Sequence, residues 1–546
     1  MCETMTDAVP VSVSNATRWT PSHRRPIAFW QGALDTWAPL VCLAALLGAV
    51  APAVLRYSPH APNWDELYFL HRAACVNRAA FALDVPGLDL CLQEMSKSPI
   101  LAFLLLFAGD IQGRAELVML LPVALALASL GLAVLLAWMA QAARLPLPSI
   151  VLAGLACALI PHTQAVGGLI FVDTLFALTV AATVMLLPLE LARPVASWRG
   201  HAARGALWGG LAALGMMGKL TYGFFILAVF PVLAVLTVRR YGLIGLLIRA
   251  AAALAVAAPG VLVILRYLKV YVAHAAGSSF GTVAQFYDSG LAFGALVREQ
   301  LLGSGSGAVP LALLALAAVA LAVRRPRDGV VPLYLLAVLT AYFLLVSTSP
   351  NRDPRFYLPF WISLPWVLAA FAWGKGRSGL TGWALAAPVG LVLCVLLSLP
   401  TAGSLDLRFV AQSRAALAQV ALDRAASNPA AQANGTPLRL LIATDAGGLN
   451  IESLLLAREL AVDPAVRAQR LDTLVYDIVR GLSPESSLER MRAADYVLFQ
   501  SPLDPGVPEW ANRFHQTFLE DARRNGDAVA TIGSDPALTV FRMRHP

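Results

Sequence analysis

The sequence predicts a polytopic α-helical membrane protein of about eleven transmembrane helices that ends in an exported α/β domain, and three features predict it. Of the 546 residues, 58% are hydrophobic and 14% charged, with a mean hydropathy of +0.67, which is more apolar surface than a soluble fold buries. Apolar runs long enough to cross a bilayer recur between residues 37 and 400. From 401 onward the composition turns to that of a soluble domain, with strand-like runs alternating with helical ones. The formal charge of +8 does not imply nucleic acid, because the basic residues form short clusters between apolar runs rather than a stripe or tail. Orientation in the membrane explains them better.

Residues 1–35 are polar, carry Arg18, Arg24 and Arg25, and show no small-residue cleavage site, so they read as a cytoplasmic tail. Residues 36–400 form the transmembrane region, with spans expected at 37–55, 115–141, 148–165, 168–190, 206–218, 221–238, 243–268, 308–323, 330–348, 356–373 and 380–400. The loop 57–114 after the first span holds Asp65 and Glu66, and its short apolar piece Ile100–Ala108 is expected in the membrane interface. Arg144, Arg193, Arg199, Arg204, Arg239, Arg240, Arg324, Arg325, Arg327, Lys375 and Arg377 all fall on one side of the alternation, which the positive-inside rule makes cytoplasmic. The N-terminus is then cytoplasmic, the 401–546 domain is exported, and the protein belongs in the inner (plasma) membrane. In that domain strands are expected at 438–444, 471–479, 495–500, 528–533 and 538–543, with helices at 450–461, 484–494 and 509–525.

Cys42, Cys157 and Cys394 lie in expected spans and Cys2 in the tail, whereas Cys75 and Cys91 share the first exported loop. An oxidising exterior permits a bridge between them, and two unpaired buried thiols fit equally well. Only four lysines, Lys97, Lys219, Lys269 and Lys375, stand among the 41 basic residues, so a lysine is unusual here.

Polar groups collect on the exported side: Asp65-Glu66 with Tyr68, Lys97-Ser98-Pro99, Phe171-Val172-Asp173, Met217-Gly218-Lys219-Leu220-Thr221, and Arg352-Asp353-Pro354-Arg355-Phe356-Tyr357-Leu358-Pro359. Their order and spacing over 60–405 resemble the GT-C glycosyltransferases that use polyprenyl-phosphate sugars, the broad group of protein O-mannosyltransferases and lipid A aminoarabinose transferases. That family begins its first exported loop with an Asp-Glu pair and ends it in a Lys-Pro-Pro-like segment, which here reads Lys-Ser-Pro. Arg355-Phe356-Tyr357-Leu358-Pro359 is similar to the family's Arg-Tyr-Leu-Leu-Pro run.

The resemblance implies an inverting transfer of a sugar from a polyprenyl-phosphate donor to a lipid, glycan or protein acceptor on the exported face. A carboxylate must take the acceptor's proton, and Asp65 is the choice, with Glu66 and Asp173 positioning the acceptor. Lys97, Lys219, Arg352 and Arg355 are the expected donor phosphate ligands. Tyr68, His71, His162 and Tyr357 are further candidates, and a divalent metal is expected, if at all, on Glu94 with His274, or on Glu66.

Taken singly, Asp65-Glu66 also fits a charge at a helix N-terminus and Lys97 a snorkelling anchor. Tyr68, Trp64 and Trp361 fit interfacial aromatics. Two other functions compete: a secondary transporter, which would carry its polar groups at mid-membrane depth, and a non-catalytic scaffold with an exported binding domain.

Overall fold

The computed structural model describes residues 64–95, 97, 99–114, 117–118, 120–145, 150, 153–154, 157, 172–280, 292, 294–295, 330–351, 353–372, 408–429, 438–444, 449–475, 482–503, 513–534 and 537–545. The expected spans 37–55, 308–323 and 380–400, and most of 148–165, lie outside these residues, as do His162 and Arg352. Four described helical stretches are long and apolar enough to cross a membrane: Leu120–Ala142, Asp173–Ala192, Leu220–Arg266 and Val330–Ser347.

The polar first loop folds as α1 (Trp64–Phe81), α2 (Val85–Gln93) and the short α3 (Ile100–Leu104). Asp65 and Glu66 occupy the first turn of α1, where the helix dipole favours them. Cys75 and Cys91 are joined in a disulfide, with Cα atoms 5.8 Å apart, and the bond clamps α2 to α1. Asn77 ties the next segment to α1 by donating to the carbonyls of Leu105 (3.3 Å) and Gly109 (2.8 Å) and accepting from the Ile111 N–H (3.3 Å). The piece expected in the membrane interface buries one face, Ile100, Leu101, Ala102 and Leu105, and leaves Phe107 87% exposed.

The helices that follow are α4 (Leu120–Ala142), α5 (Asp173–Ala192), α6 (Trp198–Gly218), α7 (Gly223–Arg266), α8 (Leu268–Phe280), α9 (Val330–Ser347) and α10 (Leu358–Ala372). At 44 residues α7 would be about 66 Å long if straight, twice a bilayer's core. It folds back at Gly242, whose φ of 72° only glycine adopts readily. The Arg249 Nη1 donates to Thr237 Oγ1 at 3.1 Å, a contact that closes the hairpin. Two spans with a turn near Arg239-Arg240 are what the arginine pattern predicts.

The second limb of α7 runs parallel to α6 at close range. A Cβ on Gly205 would lie 2.1 Å from the Arg249 carbonyl oxygen, and one on Gly209 2.1 Å from that of Ala253. Gly205-xxx-Gly209 is thus a small-residue face that lets two backbones touch. At this end of the bundle Arg249, fully buried, pairs with Glu190 at 2.8 Å and donates to His201 Nδ1 at 3.1 Å. Arg240 donates to the Glu190 carbonyl at 2.7 Å, and Arg204 lies 3.7 Å from the Glu190 carboxylate. Glu190 and Asp173 sit at opposite ends of α5, about 26 Å apart.

Residues 408–545 contain α11 (Arg408–Ser427), β1 (Arg439–Ile442), α12 (Ile451–Glu459), β2 (Arg470–Thr473), α13 (Pro484–Arg492), β3 (Tyr496–Ser501), α14 (His515–Asn525), β4 (Gly526–Ile532) and β5 (Ala537–Met543). The sheet order is β2-β1-β3-β5-β4, parallel on the β2-β1-β3 side and antiparallel beyond. Strand alternation divides the core. Leu440, Ile442, Leu498 and Val540 join the core shared with the helices, while Leu441, Val497, Phe499 and Phe541 pack with Phe518, Leu519 and Ala522 of α14. The sheet unit meets the helical part where α12 packs on α1.

Candidate active site

Four helix ends converge at one face of the bundle, and each delivers a charged group. The first turn of α1 presents Asp65, the first residue of α5 is Asp173, the residue ending α6 is Lys219, and a 3-10 turn, Pro354–Tyr357, leads into α10. In that turn Asp353 is the cap: its Oδ1 accepts from the Arg355 N–H at 3.0 Å while its Oδ2 lies 3.0 Å from Arg355 Nε. The side chain so held reaches Asp65, with Arg355 Nη1 2.6 Å from Asp65 Oδ2.

Lys97 pairs with the other oxygen of the same carboxylate. Its backbone N–H donates to the Tyr68 hydroxyl at 3.2 Å, and its ammonium lies 4.8 Å from the centre of the Tyr68 ring. A second acid–lysine pair, Asp173 with Lys219, lies alongside, its ammonium 4.7 Å from the centre of the Phe356 ring. Arg355 and Phe356 therefore touch both pairs from adjacent positions. Asp65 keeps 20% of its side-chain surface exposed, so the pair stays reachable from outside.

Burial alone would raise the Asp65 carboxyl, but the charges of Lys97 and Arg355 more than offset it and hold the group well below the usual carboxylate range. Burial likewise opposes the charge on Arg355, and the carboxylates of Asp65, Asp173 and Asp353 outweigh it and raise its value. On α8, burial and then the Lys97 charge push His274 down to about 4, with Asp65 acting in the opposite sense, so His274 is neutral at physiological pH.

The structure brings together Asp65, Lys97, Tyr68, Asp173, Lys219 and Arg355 of the residues singled out from sequence, with His274 beside them. Tyr357 is fully buried under the turn, its ring centre 5.0 Å from that of Phe343. Glu66 is fully buried on α1 next to Asp65. His71 is turned toward the sheet unit, its Nδ1 2.8 Å from Glu452 Oε2, and Arg78 on the same helix lies 2.9 Å from Glu459. Glu94 is engaged by Arg72 at 2.6 Å rather than by His274, and no group of three His, Cys, Asp or Glu side chains that could hold a metal ion occurs among the described residues. Tyr68 and Trp361, which also fitted interfacial aromatics, are buried.

Sequence reasoning quoted Asp353 and Phe356 within the 352–359 run without giving them a role, and passed over Tyr271. Asp353-Pro354 is a recognisable cap-and-proline signal that marks Asp353 as a holder of the turn. Tyr271 lies one helical turn before His274, with its hydroxyl buried and without a hydrogen-bond partner among the described residues. Only a shared helix face with His274 pointed to it.

No family model matches the chain, and no curated protein matches its sequence. Among solved structures it is similar to ArnT from Cupriavidus metallidurans bound to undecaprenyl phosphate, with a TM-score of 0.51 at 16% identity over 93% of this chain and 98% of that one. The apo state of the same protein gives a TM-score of 0.49 at 16% identity over the same shares. The mycobacterial arabinofuranosyltransferase AftD gives 0.47 at 14% identity, over 95% of this chain and 40% of that one. The likeness to ArnT establishes the architecture: over nearly its whole length the chain has a GT-C fold.

Proposed function

We propose that this protein is a membrane glycosyltransferase that moves a sugar, with inversion, from a polyprenyl-phosphate donor to an acceptor on the exported face of the inner membrane. The observation that carries the reading is the carboxylate of Asp65 held between Lys97 and Arg355 where the helix ends converge. Transfer needs a carboxylate to take the acceptor's proton and cations where the departing phosphate gathers charge, and both lie within one side-chain length here.

Asp65 is the base, Lys97 and Arg355 take the donor phosphate, and Lys219 with Asp173 orders the neighbouring subsite. Tyr271 and neutral His274 offer hydrogen bonds to sugar or acceptor hydroxyls. The acceptor oxygen attacks the anomeric carbon as its proton passes to Asp65, and the lipid phosphate leaves toward the two cations. A transporter would hold its polar groups near mid-depth, whereas these stand at helix ends.

The test is turnover of purified protein in nanodiscs with a panel of polyprenyl-phosphate-linked sugars and envelope acceptors, reading release of polyprenyl phosphate. Release that depends on acceptor supports the proposal. Failure of every polyprenyl phosphate to bind would overturn it.

A further inference from the structure

The end of the bundle away from Asp65 buries more positive charge than its partners neutralise. Arg204 on α6 and Arg249 on the second limb of α7 share one carboxylate, that of Glu190. Its Oε2 takes Arg249 Nη1 at 2.8 Å, while its Oε1 stands 3.7 Å from Arg204 Nε, beyond hydrogen-bond reach. All three side chains are deeply set, Arg249 at 0% exposure, Glu190 at 4% and Arg204 at 11%. Arg249 Nε donates to His201 Nδ1, so that nitrogen carries no proton and the ring no charge. Arg193 and Arg240 donate to the carbonyls of Ala142 (3.1 Å) and Glu190 (2.7 Å), which brings further cations to this end without a further acid. Among the described residues, two buried arginines are left with one carboxylate between them.

The unused donors lie on the same groups. Arg249 Nη2, Arg204 Nη1 and the indole Nε1 of Trp208 are buried and have no hydrogen-bond partner among the described residues. Arg204 and Trp208 stand four residues apart on α6, neighbours on one helix face, and the Arg249 guanidinium lies 5.3 Å from the centre of the Trp208 ring. Three buried N–H groups without an acceptor, beside a charge that is only half compensated, are a costly arrangement. Water would satisfy the donors and leave the charge, whereas an anion satisfies both.

We infer that Arg204, Trp208 and Arg249 hold a small inorganic anion of the halide type, at the end of the bundle away from the Asp65 site. One negative charge makes the set neutral, with two guanidinium groups against Glu190 and the anion. Arg249 is fully enclosed and Trp208 is 3% exposed, a depth that suits a spherical ion rather than a headgroup tethered to acyl chains. The ion ties the second limb of α7 to α5 and α6 beside the Gly205–Gly209 contact. This inference does not depend on the transfer chemistry.

The test is a fluorescence titration of the full chain in phosphatidylcholine nanodiscs, in gluconate buffer at constant ionic strength, with iodide as the probe. Iodide quenches indole on contact, and buried Trp208 is out of reach of ions in bulk water. A saturable loss of emission, no larger than one of the 12 tryptophans can give, is expected on top of linear quenching of exposed rings. Chloride should reverse it, and Trp208→Phe should remove it. In thermal unfolding, chloride should raise the melting temperature of the wild type more than that of Trp208→Phe or Arg204→Gln, and the wild-type titration with its reversal by chloride stands without either variant. Linear quenching alone in the wild type, or a saturable loss that survives Trp208→Phe, would overturn the inference. So would a saturable loss that disappears in phosphatidylglycerol nanodiscs, because a lipid phosphate would then be the occupant.

Discussion

Replacing Asp65 by asparagine separates the chemistry of the site from its electrostatics. In the structure the carboxylate neutralises two cations at once, Lys97 on one oxygen and Arg355 at 2.6 Å on the other. Asp65→Asn leaves those cations facing a neutral amide. Removing one partner of a buried ion pair costs about 3–5 kcal/mol, and with 20% of the side chain exposed a loss of about 1–3 kcal/mol is expected. A polyprenyl phosphate would supply the missing negative charge, so it should raise the melting temperature of the variant more than that of the wild type. Transfer should fall by roughly 10²–10⁴, because the group that accepts the proton is gone. The assays are thermal unfolding in detergent with and without polyprenyl phosphate, and acceptor-dependent turnover in nanodiscs. Wild-type turnover would remove Asp65 as base. An equal phosphate-induced shift in both proteins would refute the idea that phosphate and Asp65 compete for the same cations.

Further outcomes follow from other parts of the molecule. Lys97→Ala should lower turnover about ten- to a hundredfold through the lost charged hydrogen bond, and Lys97→Arg should recover only part, because a planar fork does not reproduce a compact ammonium against the Tyr68 ring; steady-state kinetics of both variants decide it. Gly209→Leu should destabilise the α6–α7 contact by about 1–3 kcal/mol or more, since even a Cβ meets the Ala253 carbonyl, and a lowered melting temperature with the Asp65 site still able to bind lipid phosphate is the expected signature. His274 binds its proton near pH 4 in the folded protein and near 6.5 when unfolded, so the unfolded chain takes up more protons between those values. Stability should therefore rise from pH 4 to 6.5, by at most about 3 kcal/mol from this group, and His274→Asn should flatten that part of the pH–melting profile.

The parts of the site legible in the sequence were those written as short local signals. Asp65 and Lys97 stood out because a chain that avoids charge near lipid put them in one loop, and Arg355 because it opens a span. The turn at Gly242 was legible through Arg239-Arg240, although its contacts were not. What stayed hidden were choices of partner across long separations. Nothing in residues 64–81 tells that His71 faces Glu452, 381 positions away, instead of the site. Glu94 was paired with His274 from sequence because both were polar and on one side, but Arg72 lies nearer on the adjoining helix and takes the carboxylate. Arg249 lay within an apolar run and gave no sign that it would be fully buried, since its counterion Glu190 comes from another span. Hydropathy likewise did not tell which side of Ile100–Ala108 packs inward, with Ile100, Leu101, Ala102 and Leu105 buried and Phe107 open.

The central claim is that Lys97 and Arg355, gathered on Asp65, form the seat of a lipid phosphate. An experimental structure of the protein in a nanodisc with a polyprenyl phosphate tests it most directly. Phosphate density between Lys97 and Arg355, with both cations drawn off Asp65 toward it, is the predicted result. Density at mid-depth among the spans, or beside Arg249 at the opposite end of the bundle, would contradict the account.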